Sequence, residues 1–138
     1  MKVLVDTSVW SLALRKTDKN EFDVKIVNYL AELIRDTNIV IIGPIRQEIL
    51  TGISQKAKFE ELRDKLSIFK DQMLTTDDYV LAAEYFNTCR TKGVQGSHID
   101  FLICAFSVNN NYPIFTLDKD FENYKKYLPI KTMKIESV

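Results

Sequence analysis

Four acidic residues fall where a metal-dependent active site would need them. Asp6 directly follows the apolar run Lys2-Val3-Leu4-Val5, and Asp118 directly follows Pro113-Ile114-Phe115-Thr116-Leu117. Glu48 lies just beyond Ile39-Val40-Ile41-Ile42, Asp100 opens an almost wholly apolar stretch, and Asp120 stands close behind Asp118. Carboxylates gathered at one point repel and cannot all stay ionised without a counter-charge. A divalent cation supplies that charge, and an all-oxygen ligand set suits Mg²⁺ or Mn²⁺. Each acid also has a plainer role open to it. Asp6, Asp118 and Asp120 can cap helices, Ser97 and Asp100 match a capping box, and Glu48 can be a solvated helix residue bordering the buried Ile45 and Ile49. The metal reading draws its strength from joint placement rather than from any single residue.

The apolar patterning identifies the elements that must hold these acids. Residues 2–5, 39–42 and 113–117 read as strands, the middle one apolar on both faces as in a parallel sheet covered on both sides. A short helix is expected over 7–14 and a polar break over 15–20. A long amphipathic helix follows from Glu21, with Phe22, Ile26, Tyr29, Leu30, Leu33 and Ile34 at helical spacing. Pro44 suits a first helical position ahead of Ile45, Ile49 and Ile53. Further helices are expected over 56–69, from Thr76-Asp77-Asp78 to Arg90, and over 99–108, the last ended by Asn109-Asn110-Asn111. A weaker strand is expected over 130–135. Strands alternating with helices predict an α/β chain with a central, mostly parallel sheet between helix layers. Ligands of such sheets bind beyond the carboxyl ends of the strands, where the acids fall.

The chain has 138 residues, enough for one domain spanning 1–138 and for a core that needs no staple. Lys+Arg and Asp+Glu both total 19, so there is no basic coat, and any nucleic-acid contact must be local. A single histidine, His98, argues against a histidine-based zinc site, and Cys89 and Cys104 lack metal-ligand spacing. No run approaches the roughly 20 apolar residues of a membrane span, and the apolar start is too short for a signal peptide. A cytoplasmic protein with reduced thiols is expected. A Gly-rich phosphate loop is absent, Ser8 stands where a haloacid-dehalogenase-type enzyme needs a second Asp, and Asp77-Asp78 falls away from the first strand end that a receiver domain would use.

Four strings together resemble the motifs of PIN-domain ribonucleases, in particular the VapC-type toxins of toxin–antitoxin pairs. They are Leu4-Val5-Asp6-Thr7-Ser8-Val9-Trp10, Pro44-Ile45-Arg46-Gln47-Glu48-Ile49-Leu50, Asp100-Phe101-Leu102-Ile103-Cys104-Ala105 and Phe115-Thr116-Leu117-Asp118-Lys119-Asp120-Phe121. Each is weak alone; their order, spacing and total length agree over essentially the whole chain. Cys104 and Phe106 depart from the alanines often found in that helix, which touches packing more than chemistry. The resemblance implies a PIN-like three-layer α/β/α sandwich and an Mg²⁺- or Mn²⁺-dependent endoribonuclease leaving a 5′-phosphate and a 3′-hydroxyl. It assigns Asp6, Glu48, Asp100 and Asp118 as catalytic metal-binding acids, Asp120 as a less regular fifth, and Thr7, Ser8 and Thr116 as supporting hydroxyls. It implies an RNA substrate, a cognate antitoxin and a homodimer.

Other features invite plainer readings. His98 is read as structural, and Trp10, Phe22, Phe59 and Phe69 as core or interface. The stretch Lys56, Lys58, Arg63 and Lys65 is interleaved with acids and reads as a solvated face. Lys119, Lys125, Lys126, Lys131 and Lys134 cluster after Asp118 and could touch phosphates. The rival to an enzyme is a PIN-like fold kept as a binding or scaffold module, which would be expected to have lost some of the acids.

Overall fold

Val3, Leu4 and Val5 are fully buried and form β1 (Val3–Val5), the middle strand of a three-stranded parallel sheet. In the computed structural model, which describes residues 1–134, β2 (Ile39–Val40) lies on one side of it and β3 (Ile114–Phe115) on the other. Val3 pairs with Ile39, and Leu4 with both Val40 and Ile114. A strand with water on neither face must be apolar at every position, and β1 is.

The chain leaves β1 toward β2 and later returns to β3 on the opposite side, so the strand order reverses at β1. The crevice at such a switch point is where open α/β sheets bind ligands. Here it lies between the carboxyl ends of β1 and β3, held together by the Asp6 N–H donating to the Phe115 carbonyl at 2.9 Å.

Seven helices are formed among the described residues: α1 (Thr7–Leu14), α2 (Glu21–Arg35), α3 (Gly43–Leu50), α4 (Lys56–Leu66), α5 (Thr76–Thr91), α6 (His98–Asn110) and α7 (Asp120–Lys125). The amphipathic spacing of α2 buries Ile26, Leu30 and Leu33, while Tyr29 meets the Phe115 ring of β3 edge-on at 5.4 Å. On α6, Phe101 and the whole run Ile103–Ser107 are buried, as its continuous apolar sequence requires. Its last turn includes Asn109 and Asn110, and Asn111 ends it in the left-handed conformation (φ 56°) that Asn tolerates. The expected α/β architecture, with a parallel sheet covered by helices, is what the chain adopts.

Several boundaries differ from the sequence expectation. The strand at 39–42 is only two residues long, because Ile42 already forms the N-cap of α3 and makes a separate bridge to Gln72. Ile53 and Phe69 lie beyond the ends of α3 and α4. Gly52 (φ 87°) turns the chain before Ile53, while Phe69 packs on Trp10 at a ring distance of 5.3 Å. The pairing at 113–117 is confined to Ile114–Phe115. Of the weaker strand at 130–135, Thr132 bridges to Ile114, and Ile135 lies outside the described residues.

Candidate metal centre

Asp6 sits where β1 becomes α1, and the chain folds around one of its oxygens. As the N-cap of α1 it accepts from the Ser8 backbone N–H at 3.4 Å; the Ser8 and Thr116 hydroxyls each donate to the same Oδ2 at 2.7 Å. The capping role open to Asp6 in the sequence is thus real, but it occupies only one side of the carboxylate. Thr116 and Ser8 then reach the β3 end. The Asp118 N–H donates to Thr116 Oγ1 at 3.0 Å, and the Leu117 N–H donates to Ser8 Oγ at 2.9 Å. The two hydroxyls therefore lock the loop carrying Asp118 against the loop carrying Asp6. Asp118 in turn accepts from the Asp120 N–H on Oδ1 at 2.9 Å, at the start of α7.

Asp100 is the third residue of α6. Ser97 caps that helix, its Oγ accepting from the Asp100 N–H at 3.0 Å, but no reciprocal bond closes the capping box. The Asp100 carboxylate turns instead to Tyr124, whose hydroxyl donates to Oδ2 at 2.6 Å. Glu48 projects from α3, where Pro44 occupies the first turn and the buried Ile45 and Ile49 fix the helix face. Thr7, adjacent to Asp6, donates to Glu48 Oε1 at 2.5 Å. Arg46 staples α3 to the segment after α4, donating to Asp71 at 3.0 Å and to the carbonyls of Leu66 and Phe69.

Oxygens of Asp100, Asp118 and Asp120 lie within 4.8 Å of one another. Asp6 and Glu48 fall outside that tight group. Asp6 is still close enough for its charge to act on Asp100. Burial pushes the Asp100 carboxyl above the ordinary Asp range, and the negative charges of Asp118 and Asp6 push it further, against the hydrogen bond from Tyr124. Glu48 joins the set through Thr7. Asp120, ranked behind the four in the sequence, is thus nearer the centre of the cluster than Glu48.

The donor set fits a cation. Among the described residues, none of the five acids is ion-paired to a Lys or Arg. Among the described residues, Asp6, Glu48, Asp100 and Asp118 each receive hydrogen bonds on one carboxylate oxygen only, which leaves the other with lone pairs for a hard metal such as Mg²⁺ or Mn²⁺.

A comparison with family patterns matches residues 3–127 to the PIN domain. The chain belongs to the PIN domain family. Among solved structures, the PIN domain described here is similar to a chain of FitAcB from Neisseria gonorrhoeae, with a TM-score of 0.76, 18% identity, and 99% of each chain covered. It is also similar to a chain of VapBC2 from Rickettsia felis, solved bound to a DNA fragment from their promoter (TM-score 0.75, 19% identity, 96% of this chain and 98% of that one). A third is VapBC-1 from nontypeable Haemophilus influenzae (TM-score 0.70, 14% identity, 99% of each chain). At these identities the likeness is one of fold. A search of curated proteins finds no match.

Tyr124 is the residue of the site that motif reasoning passed over. Its signal was the four-residue spacing from Asp120, which places it one helical turn on from an acid. Burial first, then the Asp100 carboxylate, pushes its hydroxyl well above the ordinary Tyr range, so it stays a donor. His98 is exposed and stacks on Phe86 at 5.3 Å with rings 9° apart. Cys89 and Cys104 are buried thiols. Burial pushes both up, and Asp100, one turn before Cys104, pushes that one further.

Proposed function

We propose that this PIN domain is a metal-dependent endoribonuclease acting as the toxin of a toxin–antitoxin pair. The observation that carries the nuclease reading is the close group of Asp100, Asp118 and Asp120 beside Asp6 at the β1–β3 switch point, with Glu48 bonded to the neighbouring Thr7 and no basic partner for any of the five among the described residues. Asp6, Asp100 and Asp118, with Glu48 and Asp120, would hold one or two Mg²⁺ or Mn²⁺ ions. Such a cation supplies activation of water at neutral pH and stabilisation of charge on the leaving oxygen. The protein's own share is positioning. Thr116 and Ser8 hold Asp6 and the Asp118 loop in register, and Thr7 restrains Glu48. Lys119, Lys125, Lys126, Lys131 and Lys134 are all exposed around the chain that follows Asp118, and they suit phosphates of a bound RNA. This chemistry needs neither a histidine nor a covalent nucleophile, consistent with His98 stacking on Phe86. The toxin reading draws on the four-motif resemblance and on the shared fold with chains of VapBC2 and VapBC-1.

The test pairs activity with stability. A fluorogenic RNA should be cut in Mn²⁺ or Mg²⁺ and not in EDTA. Asp118→Asn should lose more than the roughly 10–100-fold in rate that removing a ligand's hydrogen-bond partner costs, while still melting cooperatively. Mn²⁺ should raise the melting temperature of the wild type and do so far less for the variant, because a ligand stabilises only the state that binds it. A wild type that ignores Mn²⁺ in both assays would favour the binding-module alternative.

A further inference from the structure

We propose that Tyr124 is a positioning residue for the acid cluster, its hydroxyl setting the rotamer of Asp100, with Gly96 leaving the space that hydroxyl needs; this rests on the reading of the cluster as a metal centre. The molecule itself provides the comparison. Three Asp residues occupy the third position of a helix behind a capping side chain: Asp23 in α2, Asp78 in α5 and Asp100 in α6. Asp23 and Asp78 both close the capping box, their carboxylates accepting from the N–H of Asn20 at 3.2 Å and of Thr75 at 2.9 Å. Asp100 has the same cap from Ser97 and forgoes the return bond. Its carboxylate is drawn to Tyr124 through Oδ2, Oδ1 accepts no hydrogen bond among the described residues, and one Asp100 carboxylate oxygen lies within 4.8 Å of oxygens of Asp118 and Asp120.

Tyr124 is suited to the task by rigidity. It is 0% exposed, and its ring is held between Phe101 at 5.0 Å and Phe121 at 5.2 Å. It belongs to α7, which begins at Asp120, so one hydroxyl ties the helix of Asp120 to the helix of Asp100. Gly96 is required by proximity. A Cβ there would lie 2.4 Å from the Tyr124 hydroxyl oxygen, 2.8 Å from its Cζ and 2.9 Å from the Phe101 ring. Real Cβ atoms do not approach that closely, and the buried ring has nowhere to retreat. Partners that orient a metal ligand in this way are worth about 10–100-fold in metal affinity.

Mn²⁺ affinity of the metal-free full chain, measured by calorimetric titration, tests this independently of catalysis. Tyr124→Phe keeps the ring and removes the bond; it should bind Mn²⁺ about 10–100-fold more weakly. Gly96→Ala should weaken binding in the same direction, and the double variant should lose less than the two single losses combined. Phe106→Leu alters a buried aromatic residue of the Asp100 helix that packs on Tyr112 and is not one of the rings holding Tyr124. It should lower the melting temperature and leave Mn²⁺ affinity within about twofold, below the range expected for an orienting partner. Wild-type affinity in Tyr124→Phe, or an equal loss in Phe106→Leu, would overturn the positioning role while leaving the metal centre intact. A wild type that does not bind Mn²⁺ would remove both.

Discussion

Burial raises the pKa of the Asp100 carboxyl, and the nearby Asp118 and Asp6 charges raise it further. The consequence for stability has a definite sign. The metal-free folded protein holds a proton on Asp100 at pH values where the unfolded chain, with an ordinary Asp pKa of about 3.9, has released it. This residue's contribution to stability therefore falls as pH rises through that window, and the cost is complete above the raised folded value. Asp100→Asn removes the charge and keeps an oxygen for Tyr124. In EDTA at pH 7 it should melt higher than the wild type, and the gap should close as the pH is lowered toward about 4. Thermal scans of both proteins across that range check it; a variant that melts lower than wild type at pH 7 would show that Asp100 is not held under electrostatic strain. Thr116 illustrates the opposite economy. A single hydroxyl donates to Asp6 and accepts from the Asp118 N–H, so one side chain registers two acids that lie more than a hundred residues apart in sequence.

At the scale of elements, α2 ends in a geometry that its sequence does not favour. The N–H of Asn38 donates to the Leu33 carbonyl at 2.8 Å and that of Thr37 to Ile34 at 3.0 Å, which closes the helix end in a Schellman motif. The motif places Thr37 at φ 55°, a left-handed conformation that is costly for a β-branched residue. The turn is required because Asn38 must deliver the chain into β2 alongside β1, where the Val3 N–H donates to the Asn38 carbonyl at 2.7 Å. Thr37 is exposed and remote from the acids. Thr37→Gly should therefore raise stability by about 0.5–1 kcal/mol without changing nuclease activity. Urea unfolding midpoints at constant slope measure the first effect, and the RNA assay measures the second.

At the scale of the whole molecule, apolar surface remains uncovered. Ile68 is 75% exposed at the rim of a groove between α1, α2 and the end of α4, with Trp10, Leu30, Leu66 and Phe69 along it. Met73, Tyr79 and Val80 are also exposed. The segments 21–35 and 56–69 that border this groove thus carry apolar surface beyond what covers the sheet. Patches of that kind mark interfaces. The proposed toxin role supplies two occupants, a second copy of the chain and an antitoxin. Light scattering at micromolar concentration should report a dimer, and a monomer would remove the homodimer from the proposal. Expression alone should arrest growth, with relief by the small protein encoded next to it; arrest that the neighbour does not relieve would leave a PIN nuclease without the toxin role.

The parallel sheet was legible in the sequence because burial on both faces demands unbroken apolar runs, and Val3-Leu4-Val5 and Ile114-Phe115 are such runs. The acids were legible for a related reason. A residue that directly follows a buried strand must emerge at the sheet edge, which fixes where Asp6 and Asp118 go before any contact is known. Strand length was less legible, since Ile41 and Ile42 are as apolar as Ile39 and only hydrogen-bond pairing tells a strand from the cap of the next helix. The sequence also left open which way each carboxylate turns. Ser97 and Asp100 carry the pattern of a capping box that Asn20 with Asp23 and Thr75 with Asp78 complete, yet Asp100 turns away. That choice depends on a tyrosine twenty-four residues later in sequence and on the missing side chain of Gly96. Local pattern specifies a residue's place on its element. Its hydrogen-bond partner is decided by what the folded chain packs against it.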